Sequence, residues 1–324
     1  LLVALASAAN ATQIRCVDTE AKLDAAVRVA TDDDVEIHLV QGTYDIDNTV
    51  LVRFGGLGAT ADPDDDLTII GGYASGCGSR LLEPFTTVLT SGSGNWINIA
   101  GGDNSGNVRF ESLTLSDLPA FIELGGPFSG GYRITLSRVA LQRSPFRAEA
   151  SHISISQVLA LSAPSVSQFR GCAIVMTDMD DIEVFHSVFT GNADKALCTD
   201  PVDPSGGWTL AATNNIFWNN GTDIYTRTPD SESDVSLVDN IVVSTSIVPA
   251  SIHAAAGSLN ANPKFVDAAA DNYRLQVGSP AINSGSNAAL GLSQDIDGNP
   301  RLIGSAPDRG AYEINVDDTQ IITV

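Results

Sequence analysis

Lysine is almost missing from this chain of 324 residues: Lys22, Lys195 and Lys264 are all there is. Acidic residues outnumber basic ones 39 to 17, which sets the formal charge at −22 and the pI near 4.2. A surface of that sign repels phosphate backbones and anionic lipid, so nucleic acid is not an expected partner. The same charge opposes a polyanionic polysaccharide unless calcium or a local basic patch intervenes. Beyond the first residues no apolar run is long enough to span a bilayer, and no membrane span is expected. The four cysteines show no CxxC spacing, which removes the common zinc frameworks. A phosphate-cradling glycine loop and a nucleophile elbow are absent as well. What is present is apolar content of 43% against 17% charged residues, enough for one large all-β domain or two ordinary ones.

The chain begins "LLVALASAANA", an apolar run followed by small residues, with Ala9 and Ala11 spaced as in a signal-peptidase site. Residues 1–11 therefore read as a signal-peptide remnant; the alternative is a buried N-terminal strand or helix. Export would place the protein outside the cell, at its surface or in the periplasm. There the four cysteines would oxidise to two disulfides. The favoured pairing is Cys16 with Cys77 and Cys172 with Cys198, with the other two connectivities left open.

In "DTEAKLDAAVRVATDDD", Leu23, Ala26, Val27 and Ala30 fall on one helical face, and Asp18 or Thr19 can cap its start. This is the only convincing helix. "VEIHLVQGTY" alternates as a strand does, and "LTIIGGY" and "WINIAGG" are short strands that run into glycine pairs. Two-strand units then recur from Val108, Ile134, Ile153, Ile182, Trp208 and Val235, at steps of 26, 19, 29, 26 and 27 residues. Each unit has a polar kink: Ser137-Arg138, Ser156-Gln157, His186-Ser187, Asn214-Asn215 and Asp239-Asn240. Stacked corners account for the kinks. Asn tolerates the left-handed backbone of a corner, and its amide can bond to the corner of the next coil. The expected fold is all-β, a right-handed parallel β-helix (a single-stranded solenoid) over residues 12–261. The amphipathic helix would cap its first end. A β-sandwich would instead need strands at 8–12-residue spacing joined by hairpins.

From Asn262 the texture changes. The strings "NPKFVD" (262–267), "YRLQVGSPAINSG" (273–285), "DIDGNPR" (295–301) and "DRGAYE" (308–313), with "TIIGGYASGC" (68–77) further upstream, carry a resemblance. The chain resembles exported bacterial β-helix proteins of the choice-of-anchor Q type. That resemblance implies a parallel β-helix, export and, more weakly, surface attachment; it brings no catalytic residues. Residues 262–324 are thus expected to form a C-terminal capping or anchor-type segment covering the last coil. After Glu313 no sorting motif is visible. Asp295, Asp297 and Asn299 have the alternating spacing of a calcium loop, without the glutamate of an EF-hand. The alternative there is an Asx-turn, with Arg301 paired to a carboxylate.

A lyase needs a base and a cation to neutralise a uronate; a hydrolase needs paired carboxylates. Lys195, Arg170, His186 and Asp181 are the catalytic candidates, supplemented by Arg147, Asp178, Asp180 and Asp194. Each has a structural alternative. Aligning Phe189 with Phe217 would set Lys195 beside Asp223 as a cross-strand ion pair, and His186 would be a ladder member. The sequence thus points to an exported surface protein of binding, adhesive or assembly role, with glycan contact and end-to-end self-assembly as expected interactions. The alternative is a polysaccharide lyase or glycoside hydrolase.

Overall fold

In the computed structural model the described residues are 12–29, 34–46, 50–53, 66–92, 94, 96–100, 106–123, 132–177, 179–200, 208–226, 234–238, 240–242, 257–289 and 292–315. Residues 1–11, expected as a signal-peptide remnant, and Ala30 and Asp178 lie outside them.

The chain winds as a parallel β-helix with three faces. The first face stacks nine strands, from Gln13–Val17 through Val35–Val40, Leu67–Tyr73, the leading halves of Val108–Ser116 and Arg133–Gln142, His152–Ser156, Asp181–Phe185 and Thr209–Thr213 to Asp234–Val238. Every neighbouring pair is parallel. The second face continues from it through the trailing halves of the two long strands, then Leu159–Leu161, Val188–Thr190, Ile216–Trp218 and Ile241–Val242. The third runs from Val50–Arg53 to Thr222–Thr226. Val108, Ile134, Ile153, Ile182, Leu210 and Val235 lie in register on the first face. These are the starts read from the sequence, except that Leu210 rather than Trp208 is the paired residue.

From Val108 on, one left-handed residue turns each of two corners of a coil. Between the first and second faces these are Ser112, Arg138, Gln157, His186 and Asn214, with φ between 49° and 60°. Between the second and third they are Asp117, Arg143, Ser162, Gly191 and Asn219. Where the next residue is Ser or Asn, its side chain links to the coil below and builds a hydrogen-bond ladder. At the first corner the Ser187 hydroxyl accepts from Val158 N, Asn215 Oδ1 from Ser187 N, and Asn240 Oδ1 from Asn215 N. At the second, Ser144 accepts from Leu118 N, Asn192 from Ala163 N, and Asn220 from Asn192 N. The two asparagine pairs of "TNNIFWNN" thus belong to two different corners. The triplet between them is a second-face strand, whose Phe217 stacks on Phe189 at 4.7 Å inside the solenoid.

The helix Glu20–Val29 closes the first end: Leu23, Ala26 and Val27 pack against Val17 and Val35. Thr19 accepts from Lys22 N through its hydroxyl and from Leu23 N through its carbonyl, so it is the cap. Both disulfides follow the favoured pairing. Cys16–Cys77 ties the first strand to the loop after the third, and Cys172–Cys198 joins successive strands of the third face.

The C-terminal segment is a cover, but not chiefly for the last coil. It touches that coil where Arg309 donates to Asn240 O at 2.9 Å. Most of it lies along the flank of the second face. There Phe265, Tyr273, Leu275, Ile296 and Tyr312 bury the outward side chains Ala140, Leu159, Leu161, Val188 and Ile216. The cause is legible in those strands: small and aliphatic residues point outward as well as inward, so the second face has two apolar sides and needs a lid.

Candidate functional site

The first face has no such lid among the described residues. Its outward side chains form straight columns. Arg133, His152, Asp181 and Thr209 share one, and Thr135, Ser154, Glu183 and Ala211 share the next. Between them runs an open groove of about 310 Å³. His152 Nδ1 lies 3.4 Å from Asp181 Oδ2, and the Thr209 hydroxyl donates to Asp181 Oδ1 at 2.8 Å. Asp181 thus stands beside the His152 ring on the next rung, its other oxygen held by a hydroxyl.

The four catalytic candidates do not converge. Asp181 stands in this groove. His186 is buried at a first-corner turn with φ 49°, its Nε2 3.2 Å from Asn214 Nδ2. It is the ladder member expected from its position. Lys195 and Arg170 do meet, at the entrance to the third face: Lys195 Nζ donates to Arg170 O at 3.2 Å and to Asp194 Oδ2 at 2.9 Å. The Arg170 guanidinium pairs with the buried Asp200 carboxylate. The expected Lys195–Asp223 pair does not form. Phe189 does pair with Phe217, but the following turn is one residue shorter in the later coil, so Lys195 falls opposite Thr222. Asp223 is buried and accepts from Asn220 Nδ2. Arg147 lies over the Phe121 ring and pairs with Glu149 at 3.2 Å.

The carboxylate oxygens of the calcium candidates Asp295 and Asp297 are committed elsewhere. Asp295 is fully buried; its Oδ1 accepts from Asp297 N and Asn299 N, its Oδ2 from Glu313 N and Asn299 Nδ2. Asp297 is clamped by both arms of Arg274, at 2.7 and 2.8 Å. The loop is an Asx-turn serving as a hub, and a cation would have to displace these donors. Arg301, buried beside it, donates to the carbonyls of Asp308, Gly310 and Ala311 and lies 3.6 Å from Glu313. One guanidinium among Asp295, Asp308 and Glu313 leaves an excess of buried negative charge. Burial accordingly pushes Glu313 up to about 7, and Asp308 is raised by the same cause.

Three groupings escaped sequence reasoning. His152 was not singled out, although "HISIS" is an alternating strand whose first residue faces outward. Arg133 escaped for the same reason. In the early coils the His38 ring stacks on Tyr73 at 4.0 Å. Beside it the Glu111 carboxylate is held by Arg80, Arg109 and Arg138. Burial raises the pKa of Glu111, but the three guanidiniums outweigh it and the net shift is downward. Arg138 also donates to Asp295 O at 3.3 Å, so this cluster pins the C-terminal cover to the solenoid.

Trp208 is core, Trp96 packs on Phe169, and the half-buried Trp218 packs against the sealed second flank. Among the described residues no helix is long and apolar enough to cross a membrane. No protein-family model, curated protein or solved structure matches the chain. The fold and its open polar face therefore define the class: a disulfide-bonded parallel β-helix with one flank sealed and another free.

Proposed function

We propose that this is an exported, non-catalytic β-helix protein of the choice-of-anchor Q type, found at the cell surface or secreted, whose first face contacts glycan. The observation that carries the reading is the open face itself. Hydroxyl, carboxylate, imidazole and guanidinium groups stand in register on rungs about 4.8 Å apart. That is a linear array of hydrogen-bonding groups, the right kind of surface for an extended sugar chain. Two disulfides fit an oxidising compartment.

The test is binding of a panel of extracellular polysaccharides to wild type and to a variant carrying Thr135→Ala, His152→Ala, Ser154→Ala and Asp181→Ala. These side chains lie on the outside, so the fold is expected to survive. Loss of binding with an unchanged melting temperature supports the reading; undiminished binding sinks it. The second reading, a polysaccharide lyase or hydrolase, is favoured by one feature, the His152 ring lying 3.4 Å from the Asp181 carboxylate. Unsaturated or reducing-end product from wild type, lost in His152→Ala, would replace the first reading with the second.

A further inference from the structure

The geometry points to a uronate-binding site in the first-face groove, with Arg133 as the residue that takes the sugar carboxylate. The inference rests on the first face being the glycan-contact surface and adds the class of sugar.

The acidity of the chain makes Arg133 unusual. With 39 acidic residues against 17 basic ones, a surface arginine has no shortage of partners. Lys22 pairs with Asp18, Arg143 with Asp117, Arg147 with Glu149, Arg170 with Asp200, Lys195 with Asp194 and Arg274 with Asp297. Arg80, Arg109 and Arg138 share Glu111, and Arg301 and Arg309 hold main-chain carbonyls. Arg15 and Lys264 also have hydrogen-bond partners. Among the described lysine and arginine side chains, only Arg133 makes no hydrogen bond or ion pair, and it is the one that lines the groove.

A free guanidinium fork is built for a planar carboxylate, which it grips with two parallel hydrogen bonds. One rung further along, His152 stands 3.4 Å from Asp181, and beyond it stand Thr209 and Glu183, suited to sugar hydroxyls. The same two carboxylates, on a molecule of charge −22, set a limit on the ligand. A polyuronate would place further negative charge against Asp181 and Glu183. The fitting ligand is a glycan with one isolated uronate among neutral sugars. Its carboxylate would lie at the Arg133 rung and its neutral rings along the rungs of His152 to Thr209.

Calorimetric titration tests this with short oligosaccharides carrying a single glucuronate, galacturonate or mannuronate, and with their carboxyl-reduced counterparts. At least one acid form is expected to bind wild type about tenfold more tightly than its reduced form. Arg133→Ala should abolish that preference while leaving the weaker binding of the reduced sugar, and Arg133→Lys should retain part of it. Since Arg133 has no partner in the fold, both variants should melt with wild type. Equal binding of acid and reduced forms overturns the uronate site and leaves the glycan-contact reading standing. Absence of binding by every oligosaccharide counts against both. Tighter binding of a sulfate monoester than of any uronate overturns the carboxylate assignment.

Discussion

Asn215→Ala removes one link from the first corner ladder, and its effect can be worked from three hydrogen bonds. The Asn215 side chain is fully buried. Its Oδ1 accepts from Ser187 N at 2.9 Å, and its Nδ2 donates to Val184 O at 2.8 Å and Asn240 Oδ1 at 3.0 Å. Truncation orphans one buried N–H, which costs about 1–3 kcal/mol. Each acceptor loses a donor, although Asn240 Oδ1 keeps the Asn215 N–H, and together these add about 1 kcal/mol. The sum is a loss of about 2–4 kcal/mol, large against the stability of an ordinary domain.

The coil below supplies the control. There the equivalent residue is Ser187, whose hydroxyl accepts from Val158 N at 3.1 Å and donates to Phe185 O at 2.9 Å. A hydroxyl can therefore do the essential part of the amide's work, and Asn215→Ser should cost half of Asn215→Ala or less. Urea unfolding gives the two stabilities, and exchange of the Ser187 amide reports the link itself. Equal destabilisation by alanine and serine, or an undisturbed Ser187 amide in Asn215→Ala, would refute the ladder as the reason for these asparagines.

Glu313 predicts a pH dependence of the C-terminal cover. Its carboxyl is raised from 4.5 to about 7 by burial. The folded state thus binds the proton more tightly, and the associated stability is full below pH 4.5 and lost as pH rises through 7, by about 3 kcal/mol at most. Protection of the cover's amides, exchange being compared with the intrinsic rate at each pH, should be lower above neutrality than near pH 5, and Glu313→Gln should flatten the trend; a reversed trend contradicts it. Gly221→Ala should cost about 1–3 kcal/mol, because a Cβ there runs into the Asp194 carbonyl, whereas Gly78→Ala meets nothing within 4 Å and should be nearly neutral. Paired melts of the two variants decide this. Replacing Cys172 and Cys198 by serine opens a link across 26 residues and should cost about 3–4 kcal/mol, measured by urea unfolding of the variant against wild type under oxidising conditions.

The repeat was legible because every coil buries the same face. Val108, Ile134, Ile153 and Ile182 could be aligned by eye, and the structure pairs them in that register. Corner asparagines were legible because few residues combine a left-handed backbone with a bonding side chain. The Lys195 pairing was misread because one missing residue in the turn at Gly221 shifts every later partner, and a turn length carries no hydropathy signal. The groove was half legible. Asp181 was singled out for its charge, but its partner His152 comes 29 positions earlier, and nothing local in "SHISIS" shows that a carboxylate will stand above it.

The position of the cover bears on how the stack holds together. In a plain solenoid each coil touches only its neighbours, so an end can fray without disturbing the middle. Here the segment after residue 257 bonds to several coils at once. Asp295 O accepts from Arg138, Ser286 N and O exchange bonds with Asn214, and Arg309 holds Asn240 O. Further down, Arg274 lies 3.7 Å from Glu83. These contacts join residues 69 to 191 positions apart. Opening one coil in the middle therefore breaks bonds to the cover as well as to two neighbours. That keeps the rungs of the first face at fixed spacing, which a site made of side chains from four successive coils requires.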